Sequence, residues 1–231
     1  AAVEIARGKT LLIRLQGRHP LPEAKQFIAW LGKQGLKPID SVVCYDGSTG
    51  SMASRLWWML RWAGHEQAAV LDGGLAKWQR EGRPVTAEVP RMQAAPYPGK
   101  ARASMHASLA LVEKKLKRAA LLDARAPARY RGEQEPIDPV AGRIPGAKHR
   151  FSNDNLAPEG IFKKPELLRS EFEKILSGRN PSEVINYCGS GVAACHNALA
   201  MEIAGLAGSR VYIGSWSEWS SDPSRPTEKS G

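Results

Sequence analysis

What most limits the fold of this chain is a motif written twice. Residues 42–78 read V-V-C-Y-D-G-S-T-G-S-M-A-S-R-L-W-W-M-L-R-W-A-G-H-E-Q-A-A-V-L-D-G-G-L-A-K-W, and residues 184–219 read V-I-N-Y-C-G-S-G-V-A-A-C-H-N-A-L-A-M-E-I-A-G-L-A-G-S-R-V-Y-I-G-S-W-S-E-W. Ala63 and Ala204, Val70 and Val211, Gly73 and Gly214, and Trp78 and Trp219 stand 141 positions apart. Asp46 and Cys188 stand 142 apart, because the first copy has one extra residue in its loop. In each copy a short apolar run without helical period (Val42 to Tyr45, Val184 to Tyr187) predicts a buried strand. A glycine turn follows, then a helix with apolar residues at helical spacing: Met52, Leu56, Met59 and Leu60 in one, Val192, Leu199 and Ile203 in the other. Gly64 and Gly205 are helix stop signals. Second strands are expected at Ala68 to Leu71 and Arg210 to Ile213. Strand–helix–strand units of this length predict an α/β protein of two domains, each a parallel sheet flanked by helices.

The second copy has an upstream part. Ala119 to Ala124 reads as another strand, Arg131 to Gly142 as a loop, Ile144 to Ala147 as a turn, and Lys164 to Leu176 as a helix. Residues 90–103 read as a linker between a first domain at 1–89 and a second at 104–231. Asp123 precedes Cys188 by 65 residues, and the same step back from Asp46 falls before residue 1. The first domain is therefore expected to lack its opening strand, unless Thr10 to Leu15 substitutes for it. The expectation is an incomplete first domain, through truncation or as a naturally shortened unit.

Composition narrows the function classes. The formal charge of +10 favours anionic partners. The lysines and arginines are mixed with acids, and no aromatic–basic alternation suggests a strand-binding platform, so nucleic acid ranks low. The densest basic run, residues 113–118, reads as the solvated face of a helix whose apolar side carries Leu109, Val112 and Leu116. No apolar run is long enough to span a bilayer, and no signal peptide is evident, which predicts a cytoplasmic protein with no membrane partner. The three cysteines, Cys44, Cys188 and Cys195, do not suggest a disulfide framework.

Cys188 has four readings. Metal ligation lacks CxxC spacing and a fourth ligand, so no metal is expected. A disulfide with Cys195 is disfavoured, since seven helical residues rise about 10 Å. A phosphate-gripping loop would carry an arginine six positions on, where Ala194 stands. The fourth reading is a nucleophile for sulfur. Cys188 falls at the end of a strand and just before a helix, where sites form in open α/β sheets. Gly189 and Gly191 let the backbone curl so that several N–H groups meet at one centre, which stabilises an anionic sulfur and lowers the thiol pKa. A buried inert cysteine is the plain alternative, but it explains neither the glycines nor the serine. The matching Asp46 cannot carry sulfur, so one site is expected to be active and its duplicate inactive.

These residues resemble the two-domain rhodanese family of sulfurtransferases. The resemblance rests on D-A-R-A-P-A-R-Y-R-G-E (residues 123–133), A-G-R-I-P-G-A (141–147), C-G-S-G-V-A (188–193), G-S-W-S-E-W (214–219), G-R-H-P-L-P (17–22) and L-D-G-G-L-A-K-W (71–78). It implies a catalytic, persulfide-forming Cys188 and a substrate loop of Gly189, Ser190, Gly191, Val192 and Ala193. It also implies a donor-binding Arg129, supported by Asp123 and Arg125, for which a structural ion pair is the plain alternative. A C-G-S-G loop resembles members that prefer 3-mercaptopyruvate, in which Ser190 and His19 would take part; thiosulfate stays open as donor. The implied partners are a small anionic sulfur donor and cyanide or a thiol acceptor, with no cofactor. A sulfur carrier without turnover is the alternative. Two positions and one segment depart from the pattern the resemblance implies: Ala193 stands for a threonine, Arg143 for the histidine of H-I-P-G-A, and the first domain lacks its version of that segment. The acidic partner expected upstream of His19 has no counterpart in Arg7 to Arg14. Trp57, Trp58 and Trp62 are expected to pack, and Trp216 and Trp219 to pack or to wall the pocket.

Overall fold

A computed structural model describes residues 18–87, 93–116 and 118–230. The expected substitute strand at Thr10 to Leu15, and the stretch Arg7 to Arg14, lie outside the described residues. The chain divides into two compact units: of the described residues, 22–87 and 93–103 form the first, and 18–21 join those from 104 onward in the second.

In the first unit the order is α1 (Ala24–Lys33), β1 (Val42–Cys44), α2 (Ser51–Trp62), β2 (Ala68–Val70) and α3 (Gly74–Arg80). β1 and β2 pair in parallel, Val42 opposite Ala68 and Cys44 opposite Val70, as a strand–helix–strand unit requires. Two expectations are corrected. The first strand is not buried throughout: Val43 is 53% exposed and Tyr45 lies beyond its end at 39%. Among the described residues this sheet has two strands and α2 packs on it; alternate residues therefore face away from the helix. Met52, expected on the apolar stripe of α2, is 46% exposed, while Ala53, Ser54, Trp57, Trp58, Met59, Leu60 and Trp62 are buried. The helix is enclosed on most sides because its tryptophans pack there: Trp58 and Trp62, one turn apart, stack with centroids 6.2 Å apart, and Phe27 of α1 lies 6.3 Å from Trp62.

The stretch expected as a linker also packs on this unit. Tyr97 is buried, its hydroxyl 2.9 Å from Nδ1 of buried His65, and the Lys100 amide donates to the Ala63 carbonyl (3.0 Å).

The second unit holds α4 (Leu109–Lys115), β3 (Ala120–Asp123), α5 (Pro127–Arg131), β4 (Lys148–His149), α6 (Pro165–Leu176), β5 (Val184–Tyr187), α7 (Ala193–Ile203), β6 (Arg210–Val211) and α8 (Ser215–Trp219). Its sheet runs β4-β3-β5-β6, parallel throughout. Alternation along the strands feeds two cores. Leu121, Ile185 and Tyr187 pack with Val112, Trp216 and Trp219 on one face, and Ala120, Leu122 and Val184 pack with Leu168, Phe172, Leu176 and Met201 on the other. Leu168, Phe172 and Leu176 are spaced four apart on one stripe of α6, and burying each contributes about 1.5–3 kcal/mol. α7 departs from the expected amphipathic pattern: Ala194 through Met201 are all buried, because a central helix between sheet and loop has no solvent side. Gly205, at φ +70°, supplies the left-handed turn that ends it.

The loop after β1 shows what the duplicated turn is built to hold. The Asp46 carboxylate accepts from the amides of Ser48 (2.8 Å), Gly50 (3.1 Å), Met52 (3.0 Å) and Ala53 (3.0 Å). It thereby caps the first turn of α2. Burial alone would raise the Asp46 carboxyl, but hydrogen bonds from Ala53, Ser48 and Gly50 outweigh it and hold the group below the ordinary carboxylate range. A depressed folded-state pKa means that this contribution is fully present above the ordinary value and is lost as pH falls through the lower one. Asp46→Ala is expected to cost about 1 kcal/mol in urea unfolding at neutral pH, with a difference from the parent that shrinks in acid. Equal stability at pH 7 would refute the capping role.

Candidate active site

Cys188 follows the last residue of β5, at the C-terminal edge of the parallel sheet. The backbone curls at Gly191, which adopts φ +79°, and where several amides were expected around the sulfur the Gly191 N–H donates to Cys188 Sγ over 3.1 Å. Its carbonyl accepts from Cys195 Sγ over 3.2 Å, so Gly191 is tied to a sulfur at each end. Cys188 is 3% exposed, and its thiol meets an amide rather than an apolar wall alone. Its backbone is held from α8: the Cys188 amide donates to Ser215 Oγ (3.1 Å), Trp216 N–H donates to the Cys188 carbonyl (2.9 Å), and Ser217 N–H to the Gly189 carbonyl (2.9 Å). Ser215 takes φ +55°, unusual for a residue with a side chain, and spends its hydroxyl on the Tyr212 carbonyl (2.8 Å). Val192 and Ala193 are half-buried, Ala193 as the first residue of α7.

Cys44 is buried, and burial pushes its pKa up to about 12. None of the three cysteines is joined in a disulfide.

Beside the loop lies a chain of alternating charges. Asp123 and Arg125 form an ion pair at 2.7 Å, their side chains 0% and 1% exposed. Burial alone would lower the Arg125 pKa, but Asp123 raises it. Arg125 also reaches Glu135 (3.3 Å) and the Gly142 carbonyl (2.6 Å) and sits 4.9 Å over the Trp216 ring. Asp123 and Arg125 are thus a buried pair at the end of β3. Arg129, on α5, binds Glu135 through Nε (3.1 Å) and Nη2 (2.6 Å), and Asp138 through Nη2 (3.0 Å). Burial would raise the Glu135 carboxyl, yet Arg129 and the amides of Asp138 and Ile137 hold it below its ordinary range. Asp138 also binds Nη1 of Arg18. The Arg18 amide donates to Ser217 Oγ (3.1 Å).

Both guanidiniums converge on the loop. A Cβ added to Gly189 would lie 2.8 Å from Arg18 Nη2 and 3.2 Å from Arg129 Nη1. Gly189 is therefore needed for close approach rather than for a left-handed backbone, and two cationic edges face the residue next to Cys188. His19 is exposed, and its Nδ1 lies 2.7 Å from Oγ of buried Ser190.

The structure places Arg129, Ser190 and His19, which the family resemblance had named, around the loop that begins at Cys188. Sequence reasoning missed Arg18, Glu135 and Asp138. The signal was the charge pattern: three acids, Glu133, Glu135 and Asp138, follow the arginines in what reads only as a loop. Trp216 and Trp219 are core residues, with indole N–H groups donating to the carbonyls of Val140 and Pro226 (both 2.9 Å).

A parallel α/β unit with a glycine-curled cysteine loop at a strand end and a cationic collar defines a class of thiol-centred domains. The rhodanese-like domain model matches residues 2–81 and 108–222. Among curated proteins, the "Probable 3-mercaptopyruvate sulfurtransferase" of Pseudomonas aeruginosa is 45% identical over 213 residues, covering 91% of this chain and 75% of that protein. Human 3-mercaptopyruvate sulfurtransferase is 36% identical (87% and 69% covered), and mouse thiosulfate sulfurtransferase 39% (86% and 69%). The solved 3-mercaptopyruvate sulfurtransferase from Leishmania major superposes with a TM-score of 0.77 at 28% identity, covering 92% of this chain and 60% of its own. Wild-type EanB, at 22% identity and a TM-score of 0.80, shares the fold; this chain spans 55% of it. The chain belongs to the rhodanese family of sulfurtransferases.

Gly189→Ala is expected to push the Arg18 and Arg129 side chains off the loop. With an anionic sulfur donor, KM should rise about fivefold to tenfold with little change in Tm, because only flexible side-chain ends must move. An unchanged KM would show that the two guanidiniums do not serve the donor.

Proposed function

We propose that Cys188 accepts sulfane sulfur as a persulfide and that 3-mercaptopyruvate is the preferred donor. The observation that carries the persulfide is the Gly191 amide aimed at Cys188 Sγ (3.1 Å). The duplicate loop supports it: at the equivalent position four amides hold the Asp46 carboxylate, so this turn is suited to a negative centre.

The Cys188 thiolate attacks the donor's sulfur. A new S–S bond forms and the C–S bond breaks, with its electron pair passing to the donor carbon. The proton of the donor thiol is transferred to that carbon, so pyruvate leaves and the persulfide remains. Atoms and electrons balance with no added oxidant or reductant. In the second half-reaction cyanide or a thiol takes the outer sulfur and regenerates the thiolate, giving ping-pong kinetics.

The Ser190–His19 contact of 2.7 Å supports the choice of donor. Mercaptopyruvate must move a proton from sulfur to carbon, whereas thiosulfate releases sulfite with no proton transfer. Arg129 and Arg18 face the space beside Gly189 and hold the donor carboxylate. With three free thiols in the chain, a reducing compartment such as the cytoplasm suits the reaction.

Three measurements test this. Cys188→Ser should abolish transfer and the gain of one sulfur atom in the intact mass after incubation with donor; turnover by the variant would overturn the assignment. A mass gain in the parent without turnover would indicate a carrier instead. His19→Ala should lower kcat with 3-mercaptopyruvate about a hundredfold while leaving thiosulfate turnover nearly unchanged; equal losses with both donors would remove the proton-transfer role. Arg129→Ala should raise the donor KM about tenfold.

A further inference from the structure

We infer that Arg143 is a positioning residue for Arg129, and that residues 226–230 form a strap that holds Arg143 in that role. The inference rests on reading Arg129 as a donor-binding cation.

Arg129 lies on α5, a helix of a single turn. Such a helix has little stability of its own and needs outside anchors. Its neighbour Tyr130 supplies them. The Tyr130 hydroxyl donates to the Ala147 carbonyl (2.7 Å), the His149 ring stacks on its ring at 4.5 Å, and the Arg143 guanidinium sits over that ring, also at 4.5 Å. Arg143 Nη1 further donates to the Tyr130 carbonyl (3.3 Å). One side chain thus grips both the ring and the backbone of the residue after Arg129.

Arg143 is itself fixed by the tail. Its Nη2 pairs with Glu228 and its Nη1 donates to Ser230 Oγ (2.9 Å). Its backbone exchanges two hydrogen bonds with Glu228, N–H to carbonyl at 2.9 Å and carbonyl from N–H at 3.0 Å, as an antiparallel bridge. The other Glu228 oxygen accepts from the Gly146 amide (2.8 Å), and the Ser230 amide donates to the Arg131 carbonyl at the end of α5 (3.0 Å). Gly142 lets the strap lie this close: it takes φ +131°, and a Cβ there would meet the Glu228 carbonyl oxygen at 2.8 Å. The choice of arginine at position 143 has a physical reason. The planar fork serves Tyr130, Glu228 and Ser230 at once, more partners than the two nitrogens of an imidazole can reach.

The test is a mutant cycle read in steady-state kinetics with 3-mercaptopyruvate and cyanide. Arg143→Ala and Glu228→Ala are each expected to raise the donor KM about threefold to tenfold while keeping kcat within about twofold. In an Arg129→Ala background neither should raise KM further, because a residue that acts through Arg129 has nothing left to position. Arg143→Lys, which keeps the charge but loses the fork, should recover only part of the loss. A second readout needs no turnover: alkylation of Cys188 by iodoacetate, relative to neutral iodoacetamide, should fall in Arg143→Ala as it does in Arg129→Ala. Should Arg143→Ala fail to fold, Glu228→Ala changes a half-exposed side chain and carries the test alone. Unchanged KM in the strap variants, or KM effects that multiply with that of Arg129→Ala, would overturn the inference. If Arg129→Ala alters neither KM nor the alkylation ratio, the underlying reading of Arg129 fails instead.

Discussion

The structure turns on one loop geometry, a strand end whose following backbone turns amide hydrogens back onto the side chain that opens the loop. In the first unit that side chain is Asp46, whose two carboxylate oxygens each accept from two amides, and the loop closes on it as a helix cap. In the second it is Cys188, its Sγ approached by the Gly191 amide. The same turn thus holds a carboxylate in one half and a sulfur in the other, and the difference between the halves lies in the side chain placed at one position of a shared loop.

The loop cannot hold this shape unaided. α8 fixes the peptides of Cys188 and Gly189 through Trp216 and Ser217, and Ser215 bears an unfavourable backbone angle to bind the Cys188 amide. Behind the loop, Cys195 is occupied with the Gly191 carbonyl, so the second thiol of the motif supports the first. The same logic extends outward: Asp138 joins Arg18 to Arg129, and Glu135 joins Arg129 to Arg125. Arg18 and Arg129 are each held by a carboxylate on one side and leave another edge toward Gly189, whereas Arg125 is enclosed by Asp123, Glu135 and the Gly142 carbonyl. Pairing of this kind offsets the desolvation of buried charge and fixes the direction of each guanidinium.

Much of the fold was legible in the apolar periodicity. β3, β5, α6 and both helix-ending glycines fall where the apolar spacing put them, since a strand buried on two faces and a helix buried on one leave distinct patterns. The reading failed where burial departed from those two cases. Val43 and Tyr45 are apolar yet exposed, and α2 and α7 are buried almost all round, so neither shows a clean stripe. Tyr97, in a proline- and glycine-rich stretch that reads as a tether, anchors to His65 through one hydroxyl.

The sequence by itself determined the parallel strand–helix–strand scaffold, the nucleophile candidate at a strand end and the glycines that let its loop curl, because these depend on local backbone preference and short-range period. Only the tertiary structure decided which charges face the loop. Arg18 and Asp138 are 120 residues apart, and Arg143 and Glu228 are 85 apart. No local pattern encodes those pairings; they exist because chain packing brings a distant carboxylate to each guanidinium, and in each pair at least one partner is buried and would be costly to leave unpaired.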